Sequence, residues 1–210
     1  AKLEIISPED SSMLKSGKVY FQYKVHNYQL ATQTIDAGQM HCANSKEGQH
    51  IHNILNNEPY TAHYTDTFTK SLEPGHYVNL SFLSRSYHES IKNGEAFTLT
   101  QFTVGQAKPM PADLKAPHLF YSRPKGEYKG ADTAHILLDF FLVNTTLSPD
   151  GNKVKVTIDG TEFLLTDWKP YAVQGLDTGE HTFELELIDK DGKRVVGPFN
   201  YVKRTITLSR

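Results

Sequence analysis

The sequence predicts an all-β protein made of two tandem β-sandwiches from an internal duplication, and three observations predict it. Short segments of alternating apolar and polar residues recur along the chain, separated by turn residues about every 8 to 12 positions, which is the rhythm of a sandwich. Residues 153–192 repeat the hydrophobic frame of residues 49–89, so one architecture is written twice, too few times for a solenoid. Between the halves Pro109, Pro111 and Pro117 fall in a run with little apolar periodicity, the composition of a stiff, extended linker.

Taken in order, residues 7–12 (Ser-Pro-Glu-Asp-Ser-Ser) read as a turn. Residues 18–29 alternate and are rich in aromatic and β-branched side chains, as a half-buried strand requires. Residues 34–47 have no clear period and form a loop or irregular strand carrying His41 and Cys42. Residues 49–55 and 60–64 flank Asn56-Asn57, a pair that tolerates the positive φ of a tight hairpin. Leu72-Glu73-Pro74-Gly75 turns into a strand over 76–84, and Lys92-Asn93-Gly94 precedes a strand over 97–104. After the linker a basic loop runs from Tyr121 to Gly130. Strands are then expected over 135–143, 153–158, 163–165, 181–188 and 201–208, with turns at Pro149-Asp150-Gly151, Asp159-Gly160, Asp177-Thr178-Gly179 and Asp189-Lys190-Asp191-Gly192. Aligned copy on copy, Asn56-Asn57 falls on Asp159-Gly160, Tyr60 on Phe163, and 72–75 on 176–179. The strand number and spacing are those of Ig-like or fibronectin-like modules. The expected domains are residues 1–105 and 118–210, with 106–117 as the linker.

Composition narrows the function. The net charge is -2 and no dense Lys/Arg run occurs, which argues against nucleic acid as a partner. No apolar run approaches the roughly 18 residues of a membrane-spanning segment. The one cysteine, Cys42, permits no intrachain disulfide, so both modules depend on packing.

Five of the ten histidines lie within residues 49–89, where the second copy has almost none. In that copy Val154, Val156 and Ile158 alternate with Lys153, Lys155 and Thr157. The same register turns Ile51, Asn53 and Leu55 inward and His50 and His52 toward water. Residues two apart on a strand share a face about 6 to 7 Å apart, near enough for two imidazoles to hold one Zn or Cu ion. His63 on the hairpin partner is the expected third ligand, with His41, Cys42, His76 or His88 as others. The alternative is that these are surface histidines and no cofactor binds.

The second divergence is Ser84-Arg85-Ser86-Tyr87-His88-Glu89, which replaces the plain hairpin 189–192. Arg85 offers a planar fork for a carboxylate or phosphate, and Ser86, Tyr87 and His88 add donors, so an anion-binding loop stands against a solvated hairpin. Tyr121, Arg123 and Tyr128 supply residue types that protein interfaces favour, and Lys125 lies in the same basic loop as a further candidate contact. Catalysis is not expected. His88-Glu89 lacks the second histidine of a His-Glu-x-x-His zinc site, and neither a nucleophile elbow nor a phosphate-cradling glycine loop occurs.

The segments Gly48-Gln49-His50-Ile51-His52, Asn57-Glu58-Pro59-Tyr60, residues 84–90, residues 119–128 and Gly197-Pro198-Phe199-Asn200 together resemble a family of exported Bacteroidetes proteins often labelled phosphopeptide-binding. That family is also similar in general form to the periplasmic plug subunit of type IX secretion translocons. The resemblance covers most of the chain. It implies a mature, exported, periplasmic protein that is not an enzyme and binds another protein, with a large outer-membrane translocon as one such partner. The alternative carried with it is a metal-binding or anion-binding module using the first-module histidines and Arg85.

Overall fold

The computed structural model describes residues 1–210. The chain divides into two compact units, Ala1–Ala37 with Asn44–Leu114 and Gly38–Ala43 with Lys115–Arg210. Each is an all-β sandwich.

In the first unit the strands are β1 (Lys2–Ser7), β2 (Ser12–Leu14), β3 (Gly17–His26), β4 (His50–Leu55), β5 (Thr61–His63), β6 (Thr67–Leu72), β7 (Gly75–Ser84) and β8 (Phe97–Val104). They form a three-stranded sheet in the order β1-β3-β6 and a five-stranded sheet in the order β2-β8-β7-β4-β5. Alternation directs Val19, Phe21 and Tyr23 of β3 and Ile51 and Leu55 of β4 into one core with Phe102 and Val104. Phe21 stacks on Phe68 at 5.0 Å and meets Phe102 edge-on at 6.0 Å. Burial of an aromatic of this size contributes about 1.5 to 3 kcal/mol.

The second unit repeats the plan with β9 (His118–Arg123), β10 (Glu127–Lys129), β11 (Ile136–Val143), β12 (Lys153–Ile158), β13 (Thr161–Leu165), β14 (Tyr171–Val173), β15 (Gly179–Ile188) and β16 (Tyr201–Ser209). Its sheets run β14-β11-β9 and β10-β16-β15-β12-β13, so the two units match strand for strand. In both, a short early strand pairs parallel with the last one, β2 with β8 and β10 with β16. That arrangement, two sheets with one parallel closing pair, makes each unit Ig-like or fibronectin-like. No helix is long and apolar enough to cross a membrane.

Three expectations change. Gly38–Ala43 belongs to the second unit, where Ala43 packs on its core; the stretch has no strand period to hold it in the first sandwich. The segment 106–117 is shared out: Gln101 on β8 exchanges two hydrogen bonds with the Ala112 backbone, at 2.9 and 3.4 Å. Pro117 instead gives its carbonyl to Asn200 at 3.0 Å.

The third change is the alignment of the hairpins. Asn53 pairs with Thr61, whereas its counterpart Val156 pairs with Phe163. Thr61 therefore stands where Phe163 does, and Tyr60 where Glu162 does. The first hairpin has one residue more in its loop, with Asn56 and Asn57 at φ of 51° and 58°.

Candidate functional site

On β4 the inward register is as the sequence implies, and the outward face is not solvated. His50 and His52 are both 0% exposed. Aromatic neighbours enclose them: Tyr60 stacks on His52 at 3.5 Å with an interplanar angle of 11°, Phe82 lies 5.0 Å from His52, and Tyr64 lies 5.1 Å from His50. Exposure was the wrong expectation because periodicity gives the face of a strand and not what lies over that face.

His88 completes a cluster with these two, and their ligand atoms all lie within 4.8 Å of one another. His50 Nε2 is 2.8 Å from His52 Nε2 and 3.1 Å from His88 Nδ1. His50 Nδ1 lies 2.8 Å from the Gly48 carbonyl. A carbonyl only accepts, so that nitrogen carries the proton and Nε2 presents its lone pair to the cluster. Two imidazole nitrogens face that lone pair, and a cation among the three nitrogens would take the place of the hydrogen bonds between them. In a tetrahedral zinc site with bonds of about 2.0 to 2.1 Å the donors stand about 3.3 Å apart, so the His50–His52 and His50–His88 pairs would open by a few tenths of an ångström, and the His52 and His88 nitrogens, within 4.8 Å of each other, would adjust to the same spacing. The backbone carbonyl behind His50 is the kind of partner that orients a metal-ligating imidazole.

The backbone beneath His88 is unusual. Arg85 N–H donates to the Glu89 carbonyl and His88 N–H to the Arg85 carbonyl, at 2.9 and 3.0 Å. In the second unit Asp189 N–H and Gly192 N–H make the same two bonds, to Lys193 and Asp189. His88 stands where Gly192 stands, and both are left-handed, with φ of 70° and 76°. The cluster positions on β4 likewise hold Lys153 and Lys155 in the second copy. There Lys155 Nζ reaches Glu186 at 2.9 Å and Glu162 at 3.7 Å in an ordinary ion-pair network.

His63 is not in the cluster. It lies opposite Ile51 on β5, which directs it to the inter-sheet side, where its ring stacks on Phe68 at 3.3 Å and its Nε2 lies 2.7 Å from Thr61 Oγ1. Burial, helped by the charge of Lys70, pushes its pKa down to about 4. His76 bonds Thr103 and Gln101 instead, and His41 lies in the second unit with its ring 5.9 Å from that of His135.

The expected anion loop separates. Arg85 lines a polar cleft of about 480 Å³ with Gln29, Gln33, Gln49 and Asp36, but Asp36 puts a carboxylate into the same cleft and Glu89 lies 3.8 Å from Arg85 Nε. Ser86 is buried in a reciprocal pair with Thr34, at 2.9 and 3.3 Å. Tyr87 is buried, its hydroxyl 3.5 Å from Asp36, and burial raises its pKa.

The aromatic and basic surface expected around residue 121 is also absent. Tyr121 and Tyr128 belong to the core of the second sandwich, and Arg123, 8% exposed, donates from Nη1 to the Tyr128 hydroxyl at 2.9 Å. Strand β9 extends to Arg123, and alternation carries Leu119 and Tyr121 inward. Only Lys125 is half-exposed.

The molecule is thus a tandem Ig-like or fibronectin-like β-sandwich protein with a histidine cluster in its first module. No protein-family model and no curated protein matches the chain. Similar solved structures include the fibronectin(III)-like modules of Clostridium thermocellum CbhA, at 12% identity over 99% of this chain and 94% of that one, with a TM-score of 0.34. Another is the Bacteroides ovatus mixed-linkage glucan utilization protein SGBP-B, at 9% identity over 100% and 71%, TM-score 0.30. A third is dimeric latent PorU from Porphyromonas gingivalis, at 9% identity over 99% of this chain and 20% of that one, TM-score 0.30. Likenesses this distant carry no argument about function.

Proposed function

We propose that this protein is a binding module, not an enzyme, and that its first sandwich takes up one first-row transition cation, Zn²⁺ or Cu²⁺, through His50 Nε2, His52 Nε2 and His88 Nδ1. The observation that carries this reading is the convergence of three imidazole nitrogens, His52 Nε2 and His88 Nδ1 standing 2.8 and 3.1 Å from His50 Nε2, whose lone pair the Gly48 carbonyl directs to them. Neutral imidazole is a good donor for both metals. Titration of the metal-free chain with each ion by calorimetry tests it. The expected outcome is one ion per chain and a higher unfolding temperature with metal than without, both lost in the double variant His50→Ala/His52→Ala. Failure of both ions to bind at micromolar protein would overturn the reading.

A second reading, docking of a protein partner, is supported by the edge strand β13. It carries Phe163 and Leu164 at 48% and 59% exposure beside an apolar cleft of about 260 Å³ between β13 and β14. An exposed sheet edge with apolar side chains is a template for an added strand. The sharper forms of this reading, a periplasmic location and the plug of a type IX translocon, rest on the family resemblance. Affinity isolation from the native envelope in mild detergent tests them. A stoichiometric outer-membrane partner, lost in Phe163→Asp/Leu164→Asp, is the expected outcome, and isolation of the chain alone would count against docking.

A further inference from the structure

The geometry points to Tyr60 as the oxygen ligand that completes the three-histidine set, giving a site of three nitrogens and one phenolate. This inference rests on the metal-binding reading. Tyr60 is 2% exposed, and its ring lies flat on His52 at 3.5 Å. Its hydroxyl is 3.3 Å from His88 Nδ1, the same nitrogen that faces His50 Nε2. That is about the spacing of two donors on one tetrahedral metal ion with bonds of about 2.0 to 2.1 Å.

The duplication supplies an independent argument. Tyr60 occupies the place of Glu162, whose carboxylate lies 3.7 Å from Lys155, the counterpart of His52. In both copies this position packs against the same neighbour on the adjacent strand and carries an oxygen, which in the first copy reaches His88. Where that neighbour is a cationic lysine the oxygen is a carboxylate. In the first copy the neighbour is an imidazole in a cluster, and the oxygen is a phenol. Packing on His52 alone would be served as well by phenylalanine. When the metal–oxygen bond forms, the phenol O–H bond breaks and its proton leaves to solvent, as metal binding to protic ligands requires.

Loading the full chain with Cu²⁺ tests this, because a phenolate on Cu²⁺ produces a charge-transfer absorption in the visible that imidazole ligands alone do not. The comparison includes Tyr60→Phe, which keeps the ring stack, and Tyr64→Phe, which alters the other tyrosine beside His50. The expected outcome is a visible band in the parent and in Tyr64→Phe that is absent in Tyr60→Phe. Tyr60→Phe should still bind one Cu²⁺, with affinity reduced by about 10- to 100-fold, the range typical of losing even an outer-shell partner. Stoichiometric copper with no such band in the parent, or a band that survives Tyr60→Phe, overturns the role of Tyr60 and leaves the three-histidine reading standing. Absence of bound copper overturns the role of Tyr60, and absence of bound zinc as well overturns both.

Discussion

His88 adopts a φ of 70° at a hairpin position where the second copy uses Gly192 at 76°. A non-glycine residue there carries a backbone cost of order 1 kcal/mol, and such costs gather at functional sites. The side chain is what the first copy gains in exchange. His88→Gly is therefore expected to abolish metal binding while changing the stability of the metal-free protein by less than about 1 kcal/mol in a urea titration, since relief of the backbone offsets the lost contacts. A loss well above that would make His88 a structural residue. The substitution of histidine for glycine is legible in the aligned copies; the convergence of its Nδ1 on His50 is not, because 38 positions separate them in sequence. His63 errs in the opposite sense. Proximity along the hairpin suggests it as a ligand, but its cross-strand partner is Ile51, so strand parity sends it to the opposite face of the sheet.

At the scale of elements, β4 separates two environments. Its one face offers His50 and His52 to the cluster, and its other face carries Asn53 into the sandwich between Ile51 and Leu55. Asn53 is 0% exposed, where its counterpart Val156 is plain core. Its Nδ2 donates to Asn79 Oδ1 at 2.7 Å and to Ser81 Oγ at 3.0 Å, and its Oδ1 accepts from Lys70 Nζ on β6 at 2.9 Å. Tyr23 joins through Ser81 at 2.8 Å. The network ties the two sheets together by directed bonds, which stabilise only while every member is satisfied.

Burial pushes the Lys70 ammonium from its ordinary 10.5 down to about 8. Between those values the unfolded chain binds a proton that the folded chain has released, so stability rises with pH through this window. Urea midpoints at about pH 7 and about pH 9.5 are expected to show an increase in the parent protein that is missing from Lys70→Met. Equal slopes in the two proteins would remove Lys70 as the source. Asn53 and Ser81 are visible in the sequence as polar residues on strands; that they share one network with Lys70 follows from the pairing of β4 with β7 and the packing of β6 across the core.

Over the whole molecule the duplication explains where function is sought. Two units with the same strand order and the same parallel closing pair differ most where Lys153, Lys155, Glu162 and Gly192 are replaced by His50, His52, Tyr60 and His88. The second unit satisfies those positions with ion pairs such as Lys155 with Glu186 at 2.9 Å. The side chains of that pair are 28% and 14% exposed, so the same positions hold a half-buried ion pair in the second unit and the histidine cluster in the first. The duplicated chain should accordingly bind one cation and not two, which is the stoichiometry the titration reads.

The sequence by itself determined the all-β class, the two modules, their turns and the stretch in which the copies diverge. These follow from side-chain periodicity and turn chemistry, which act over a few neighbouring residues. Only the tertiary structure decided that His50 and His52 are buried, that His88 and not His63 joins them, that Tyr60 faces the cluster, and that Tyr121 and Tyr128 are core residues instead of a docking surface. Each of those depends on which strand lies beside or above another, and a one-residue difference in a hairpin loop, as between residues 53–61 and 156–163, is enough to exchange the residue that occupies a site.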